Sequence, residues 1–265
     1  FCSSSWAQVE WFHALVLARL TGASRVEGMT QQVEPLLAFA EAGDLEAVQA
    51  FDEVELPKRL RARDEDGRTA LHRACAGGHE AIVKYLVAKG AAVATEDEGG
   101  WTPLHTCASK GLDSAVALLL EGKADADAAT SSGATALHLA ASKGHAEISQ
   151  LLLAANAKKN PRDRCGGTPL ARAAGTGREK VVRLLIDAAA DPTVRDRAGD
   201  NAMHVAINSQ AVAVCEVLMS ADEAEKMMTQ ENEEGKTPAQ MILDMEPMEV
   251  RDTLKSVWRN AQRGG

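Results

Sequence analysis

The chain has 265 residues, 45% of them hydrophobic and only 3% aromatic, with a formal net charge of −9. That hydrophobic content excludes disorder by composition. The acidic balance argues against a general nucleic-acid binder, and no run approaches the ~20 apolar residues that span a bilayer.

With so few rings, alanine and leucine must fill the interior, which suits thin layers of closely spaced helices. The five cysteines, Cys2, Cys75, Cys107, Cys165 and Cys215, are odd in number and include no C-x-x-C. This reads as a reducing intracellular compartment, so cytoplasm and nucleus are the expected locations.

In chain order, residues 11–24, WFHALVLARLTGAS, hold an apolar run resembling a signal-peptide core, but Glu10 rather than a basic stretch precedes it. Met29 opens an amphipathic stretch that runs without a break into the first repeat. Residues 1–28 are therefore expected to be a leader or N-terminal extension outside the fold, and 29–258 the folded domain. AEAGDLEAVQAF, ending at Phe51, predicts a helix pair.

From Gly67 the chain repeats itself. GRTALHRACAGGHEAIVKYL from Gly67 aligns with GWTPLHTCASKGLDSAVALL from Gly100 and GATALHLAASKGHAEISQLL from Gly133. GGTPLARAAGTGREKVVRLL comes next from Gly166 and GDNAMHVAINSQAVAVCEVL from Gly199, all spaced by 33 residues. Asp64, Asp97, Asp163 and Asp196 each precede a glycine by three, the chemistry of a tight turn. Thr69, Thr102, Thr135 and Thr168 then cap a short alanine-rich helix, with Pro103 or Pro169 at its first position. Gly78 and its equivalents break that helix. Apolar residues at helical spacing, such as Ile82, Val83 and Leu86, predict a second, and Gly90 is placed to end it with positive φ.

Lys123, Asn156 and Ala189 occupy the Gly90 slot. Asn201-Ala202-Met203 replaces T-P-L, and Gln210 replaces the inter-helix glycine. Repeat 199–231 is therefore expected to be the least regular. Gly235-Lys236-Thr237-Pro238 restarts the motif 36 residues after Gly199, and MILDMEPMEVRDTLKSVW predicts a capping helix pair broken near Pro247. The expected repeats span about 32–63, 64–96, 97–129, 130–162, 163–195, 196–231 and a cap at 232–258, with 259–265 a flexible tail.

A turn plus two antiparallel helices every 33 residues, carrying T-P-L-H, resembles the ankyrin repeat. The resemblance implies an all-α solenoid of about seven helix–turn–helix units with β-turn or hairpin tips. It also disposes of the pair His105 and Cys107, which invites a metal or nucleophile reading. His105 belongs to a series with His72, His138 and His204, and Cys107 aligns with Ala74, Ala140, Ala173 and Ala206. A ligand would not recur once per unit, so the histidines are expected to bond nearby backbone and fix a turn.

There is no G-K-[ST] phosphate loop, H-E-x-x-H or G-x-S-x-G, so no enzyme, cofactor or metal is expected. Binding is expected at the tips, through Glu65, Asp66, Arg68, Glu98, Trp101, Arg162, Arg164 and Arg197. Along the inner helices the candidates are Arg73, Thr106, Lys110, Leu139, Lys143 and Arg172. Trp and Arg are favoured interface anchors, and Trp101 sits where other repeats carry Arg68, Ala134, Gly167 or Asp200. The tips run from acidic at Glu65, Asp66, Glu96, Asp97 and Glu98 to basic at Arg162, Arg164, Arg195 and Arg197.

Seven repeats in this order, with RTALHRACAGGHEAIVKYL, GWTPLH and EEGKTPAQMI, resemble the gankyrin-like proteins over about residues 30–245. The resemblance implies an assembly chaperone that binds the C-terminal domain of one proteasomal AAA ATPase subunit through its concave face. Arg68 and Trp101 match the family's partner-facing positions, Arg73 replaces an aromatic, and Arg162 keeps a basic residue. Val205-Ala206-Ile207-Asn208-Ser209 stands where the family's animal members carry L-x-C-x-E, so a retinoblastoma-protein partner is not carried over. No nucleic-acid or membrane partner is expected, and the free chain is expected to be a monomer. The alternative reading is a generic ankyrin adaptor for a ubiquitin ligase, kinase or other signalling partner.

Overall fold

The structure, a computed structural model, describes residues 34–51, 55–244 and 248–264. The expected leader at 1–28 and the break near Pro247 lie outside the described residues. Among these residues the chain forms helices and a single isolated bridge, Ala129 to Thr135.

An opening pair, α1 (Pro35–Ala42) and α2 (Leu45–Gln49), is followed by a single turn, α3 (Leu56–Arg59). Five regular pairs come next. They are α4 (Ala70–Gly77) with α5 (Glu80–Ala88), α6 (Pro103–Lys110) with α7 (Asp113–Glu121), and α8 (Ala136–Lys143) with α9 (Ala146–Ala154). Then come α10 (Pro169–Gly175) with α11 (Glu179–Asp187), and α12 (Ala202–Asn208) with α13 (Val212–Met219). The short α14 (Ala224–Thr229) precedes the closing pair α15 (Pro238–Asp244) and α16 (Met248–Gly264).

The first helix of each pair stacks on the first helix of the next, and the second helices stack likewise, giving two parallel layers. The core is the seam between them. It is built from one fully buried leucine per outer helix (Leu86, Leu119, Leu152, Leu185, Leu218) and alanines on the inner ones. α1 packs on α4 at one end, and α16 packs on α13 at the other, so each end of the array is covered.

Local chemistry sets each boundary. Pro103 and Pro169 stand at the first helical position, where no N–H is required. Gly78, Gly111 and Gly144 cap the inner helices in the left-handed region, at φ between 77° and 86°. Gly90, at φ 87°, ends α5. Lys123, Asn156 and Ala189 keep that turn at φ 64°, 63° and 59°, and Gln210, in the slot of Gly78, is left-handed too at φ 55°. For the side chains with a Cβ this conformation costs ~1–2 kcal/mol, with asparagine the most tolerant. The turn is held because the next repeat must stack.

Two features depart from expectation. The lengthened sixth unit holds a third helix, α14, which buries Ala224, Met227 and Met228 beside α13 and α15. The expected flexible tail is instead helix. α16 continues to Gly264, because Arg259, Asn260, Ala261, Gln262 and Arg263 contain no helix breaker and extend an already docked amphipathic helix.

The recurring histidine is the link between units. The Nδ1 of His72 accepts the backbone N–H of Thr69 (3.2 Å) and lies 2.9 Å from its hydroxyl, closing a capping box. That bond fixes the neutral tautomer with hydrogen on Nε2, which donates to the Trp101 carbonyl of the next repeat at 3.0 Å. His138 donates to Gly167 (3.1 Å) and His204 to Lys236 (3.1 Å) of the following repeats in the same way, while His105 donates to Ala128 (3.0 Å) at the end of its own repeat. Both nitrogens of His105 are thereby occupied.

Burial pushes the pKa of His72, His105 and His138 down from 6.5, partly offset by the carbonyl each one bonds. As pH falls through about 6.5, the unfolded chain takes up protons that the folded chain refuses. Stability contributed by these histidines is therefore full above that pH and is lost below it. The urea midpoint is expected to be lower at about pH 5.5 than at about pH 7.5, a window well above the carboxylate titrations. A midpoint that stays flat or rises on acidification contradicts this assignment. Separately, Leu119→Ala empties a fully buried site and is expected to destabilise by ~2–5 kcal/mol, and an unaltered unfolding midpoint would contradict the packing.

Candidate protein-binding surface

Six turns project from the same edge of the stack, beginning at Asp64, Asp97, Thr130, Asp163, Asp196 and Asn232. In each, the first residue donates its N–H to a carbonyl four residues on and accepts the N–H of a glycine three residues on, as in Asp64 with Arg68 and Gly67 (3.0 Å each). The Asp64 Oδ1 also accepts the N–H groups of Asp66 (3.0 Å) and Arg68 (2.8 Å). Asp97, Asp163 and Asp196 repeat this arrangement, and Asn232 does so with its amide oxygen. Thr130 makes a reduced version through its hydroxyl to Ala134 (3.2 Å).

The turns are also joined to one another. Glu98 N–H bonds Asp66 O (2.9 Å), Ser131 bonds Gly99 (2.8 Å), and Arg164 bonds Ser132 (2.9 Å). Arg197 bonds Cys165 and Glu233 bonds Ala198, both at 2.9 Å. One continuous backbone ladder therefore runs the length of the edge and holds the residues after each turn aspartate in register.

This geometry sorts the expected binding residues into two groups. Arg73 and Arg172 are engaged by the turn aspartates of their own repeats, and Arg73 also by the preceding repeat. The Nε of Arg73 donates to Asp64 Oδ2 at 2.7 Å, and its Nη1 lies 3.2 Å from Glu41. Arg172 makes a two-pronged pair with Asp163 Oδ2. Burial raises the Asp64 and Asp163 carboxyls, but the backbone N–H groups and the paired arginines outweigh it and hold both below the usual aspartate value. Arg162 is likewise employed as a strap, donating to Arg195 O (2.5 Å) and Gly166 O (3.3 Å).

In contrast, the side chains of Lys110, Lys143, Arg164 and Arg197 are exposed and have no hydrogen-bond or ion-pair partner among the described residues. Glu65 is exposed on its turn, and Leu139 is half-buried on α8.

The remaining residues meet in one place. Asp66, Arg68, His72, Ala76, Asp97, Glu98, Gly99, Trp101 and Thr106 line a cleft of about 350 Å³ between the turns of the second and third repeats. Arg68 bridges Asp97 (3.3 Å) and Asp66 (3.4 Å) across its floor. Trp101 is half-buried, its ring tilted against His105 with centroids 6.1 Å apart. A Cβ at position 99 would stand 3.2 Å from Trp101 Cδ1, so Gly99 gives the indole its seat. Three carboxylates against one guanidinium leave the cleft acidic. Its histidine, His72, has both nitrogens bonded and is not available as a base.

Sequence reasoning missed the straps. Arg63 reaches Glu96 O (3.0 Å) just as Arg162 reaches Arg195 O. The available signal was an arginine immediately before the turn aspartate at Arg63, Arg162 and Arg195.

The profile of "Ankyrin repeats (3 copies)" matches residues 17–97, 36–130, 90–163, 115–196 and 156–230, which together cover most of the chain. A 60 kDa lysophospholipase of Mus musculus is 40% identical over 76 residues. That stretch is 28% of this chain and 13% of that protein, so the likeness is confined to a small part of it. Ankyrin arrays are protein-binding scaffolds, and the turn edge and inner-helix face are the surfaces this one offers. From the recurring unit, its stacking and the matched residues, the chain belongs to the ankyrin-repeat family.

Proposed function

We propose that the chain is an assembly chaperone of the 26S proteasome regulatory particle, holding the C-terminal domain of one AAA ATPase subunit on its concave face. The observation that carries the proposal is the cleft between the turns of the second and third repeats. There Arg68 and Trp101, the two residues matching partner-facing positions of the gankyrin-like proteins, line one acidic concavity. The ladder continues from this cleft through the uncharged Ser131 and Ser132 to the unpaired Arg164 and Arg197. A partner with a basic patch and an acidic patch, spaced by about two repeats, complements that order and is oriented by it.

In this reading the free chain is a monomer of cytoplasm and nucleus, and it performs no chemistry. A half-buried indole beside an ion-paired arginine is the composition of an interface anchor. Arg68 is already ion-paired with Asp97 and Asp66 before binding, which lowers the ordering cost on association.

The test is titration of the chain with each isolated C-terminal domain of the six proteasomal ATPases. Sub-micromolar binding to one, and none to the others, is the expected outcome. Trp101→Ala combined with Arg68→Glu is expected to weaken that complex by several kcal/mol, since anchors of this kind are worth ~2 kcal/mol or more each. The helical circular dichroism should be retained. Unchanged affinity would remove the cleft from the interface. Binding to none of the six would favour the generic adaptor reading instead.

A further inference from the structure

The residues by which the sixth repeat departs from the others bind it forward to the seventh. Asn201 replaces the helix-capping threonine and is fully buried. Its amide donates to Met227 O (3.0 Å) and Gln230 Oε1 (2.8 Å), which fastens α12 to α14 and the residue that ends it. His204 donates to Lys236 O (3.1 Å), Asn232 to Asp200 Oδ1 (2.9 Å) and the Glu233 N–H to Ala198 O (2.9 Å). With α16 packed on α13, the sixth and seventh repeats are one bonded body.

The junction behind that body is thinner. Between the fourth and fifth repeats, His138 reaches Gly167 O (3.1 Å), Arg178 reaches Ser142 O (3.3 Å) and the Asp191 N–H reaches Asn160 Oδ1 (2.9 Å). Between the fifth and sixth, Ala171 fills the histidine slot, and no imidazole crosses among the described residues. At the turn edge the ladder bond from Arg197 to Cys165 O continues (2.9 Å). There Arg195 also straps the turn that follows it, through Gly199 O (2.9 Å) and the exposed Glu233 (3.5 Å). Toward the helices the crossing bonds are long. Ala202 N–H lies 3.3 Å from Pro192 O, and Ser209 Oγ lies 3.4 Å from Ala174 O. That hydroxyl is nearer to Val205 O (3.0 Å) and Ala206 O (3.1 Å) of its own helix. Flanking the junction, Ala189 and Gln210 are left-handed at φ 59° and 55°, a conformation that strains any side chain with a Cβ. Apolar packing of α12 on α10 and of α13 on α11 keeps the array closed.

We propose that the array has a built-in breakpoint between its fifth and sixth repeats, at which the sixth and seventh repeats unfold together while the first five stay folded. In a stack whose units touch only their neighbours, the least bonded interface sets where a partial opening stops. The five-repeat form keeps the Trp101 cleft and Arg164 and loses Arg197 from the turn edge. Opening therefore switches the basic end of the surface without disturbing its acidic end. That consequence for binding rests on the proposed function, whereas the breakpoint does not.

The experiment is native-state amide exchange of the full chain, read by peptide mass across a series of low urea concentrations. Amides of α12, α13 and α15 are expected to exchange through one common opening, about tenfold or more faster than those of α8 and α9. Ala171→His supplies the missing imidazole, with Thr168 to cap and Asp200 O to reach. It should slow that common opening by about fivefold, the factor that ~1 kcal/mol for one neutral hydrogen bond represents. Gln210→Gly relieves the left-handed strain and should slow α12, α13 and α15 alike. Protection of α12–α15 equal to that of α8 and α9, or a gradient running inward from α16 with no step after α11, would overturn the proposal. So would a folded Ala171→His chain with unaltered exchange. Should that variant not fold, Gln210→Gly decides, and slowing confined to α12 and α13 counts against a single unit. Because no partner enters the measurement, failure of ATPase binding leaves this result unaffected.

Discussion

The imidazole that caps one inner helix and donates to the next repeat is the interaction on which the array depends. A backbone N–H pointing at Nδ1 leaves the proton only one place to go, and Nε2 then faces a carbonyl of the following unit. A local cap and an inter-repeat bond are thus one event in one side chain. Each unit has too little core to stand alone, so stability accrues through these junctions and the leucine seam beside them. The fifth repeat shows the arrangement by its omission. Ala171 fills the histidine slot, Thr168 caps the Ala171 N–H directly at 3.2 Å, and no imidazole crosses to the sixth repeat. Besides helix stacking, those two units are joined by the turn ladder at Arg197 and Cys165 and by a Ser209 hydroxyl on Ala174 O at 3.4 Å.

The turn edge obeys a second rule, in which charge serves structure before it serves recognition. One oxygen of each turn aspartate is committed to backbone N–H groups, and in the second and fifth repeats the other takes Arg73 or Arg172. Those arginines set the turn against its own helix. The unpaired cations stand one or more residues away, where the ladder fixes the backbone but leaves the side chain to solvent. Arg164 and Arg197 sit immediately after their turn aspartates, the position that donates its N–H to the previous turn. A rigid main chain that leaves side chains such as Arg164 and Arg197 to solvent is what lets neighbouring turns vary in charge without loss of register.

Much of the fold was legible because its signals are local and repeated. Glycines at fixed spacing announced positive φ, prolines marked first helical turns, and a leucine every 33 residues located the outer-helix core. What was not legible depended on contacts between units. Nothing in T-A-L-H states that Nε2 will reach the next repeat, and an exposed-looking Arg73 or Arg172 gives no sign that an aspartate nine residues earlier will hold it. The tail resembles a loose end because the last apolar residues, Leu254, Val257 and Trp258, look like a terminus, although nothing after them breaks a helix. For the surface, sequence position grouped Arg68 with Trp101, but the cleft that encloses them needed the stacking distance between two turns.

That stacking distance ties the surface to the core. Asp97 belongs to both: its side chain is 7% exposed, its Oδ1 builds the third turn, and its Oδ2 receives Arg68 from the second. Trp101 belongs to both as well, since its carbonyl accepts the His72 bond while its ring walls the cleft. A change in how repeats two and three stack is therefore transmitted to the cleft without any intervening mobile element. In a quasi-one-dimensional array such a change stays local, because each unit touches only its neighbours. The proposed recognition surface between the turns of the second and third repeats can accordingly be tuned from the seam behind it, while the arginine turns of the fifth and sixth repeats keep their own geometry.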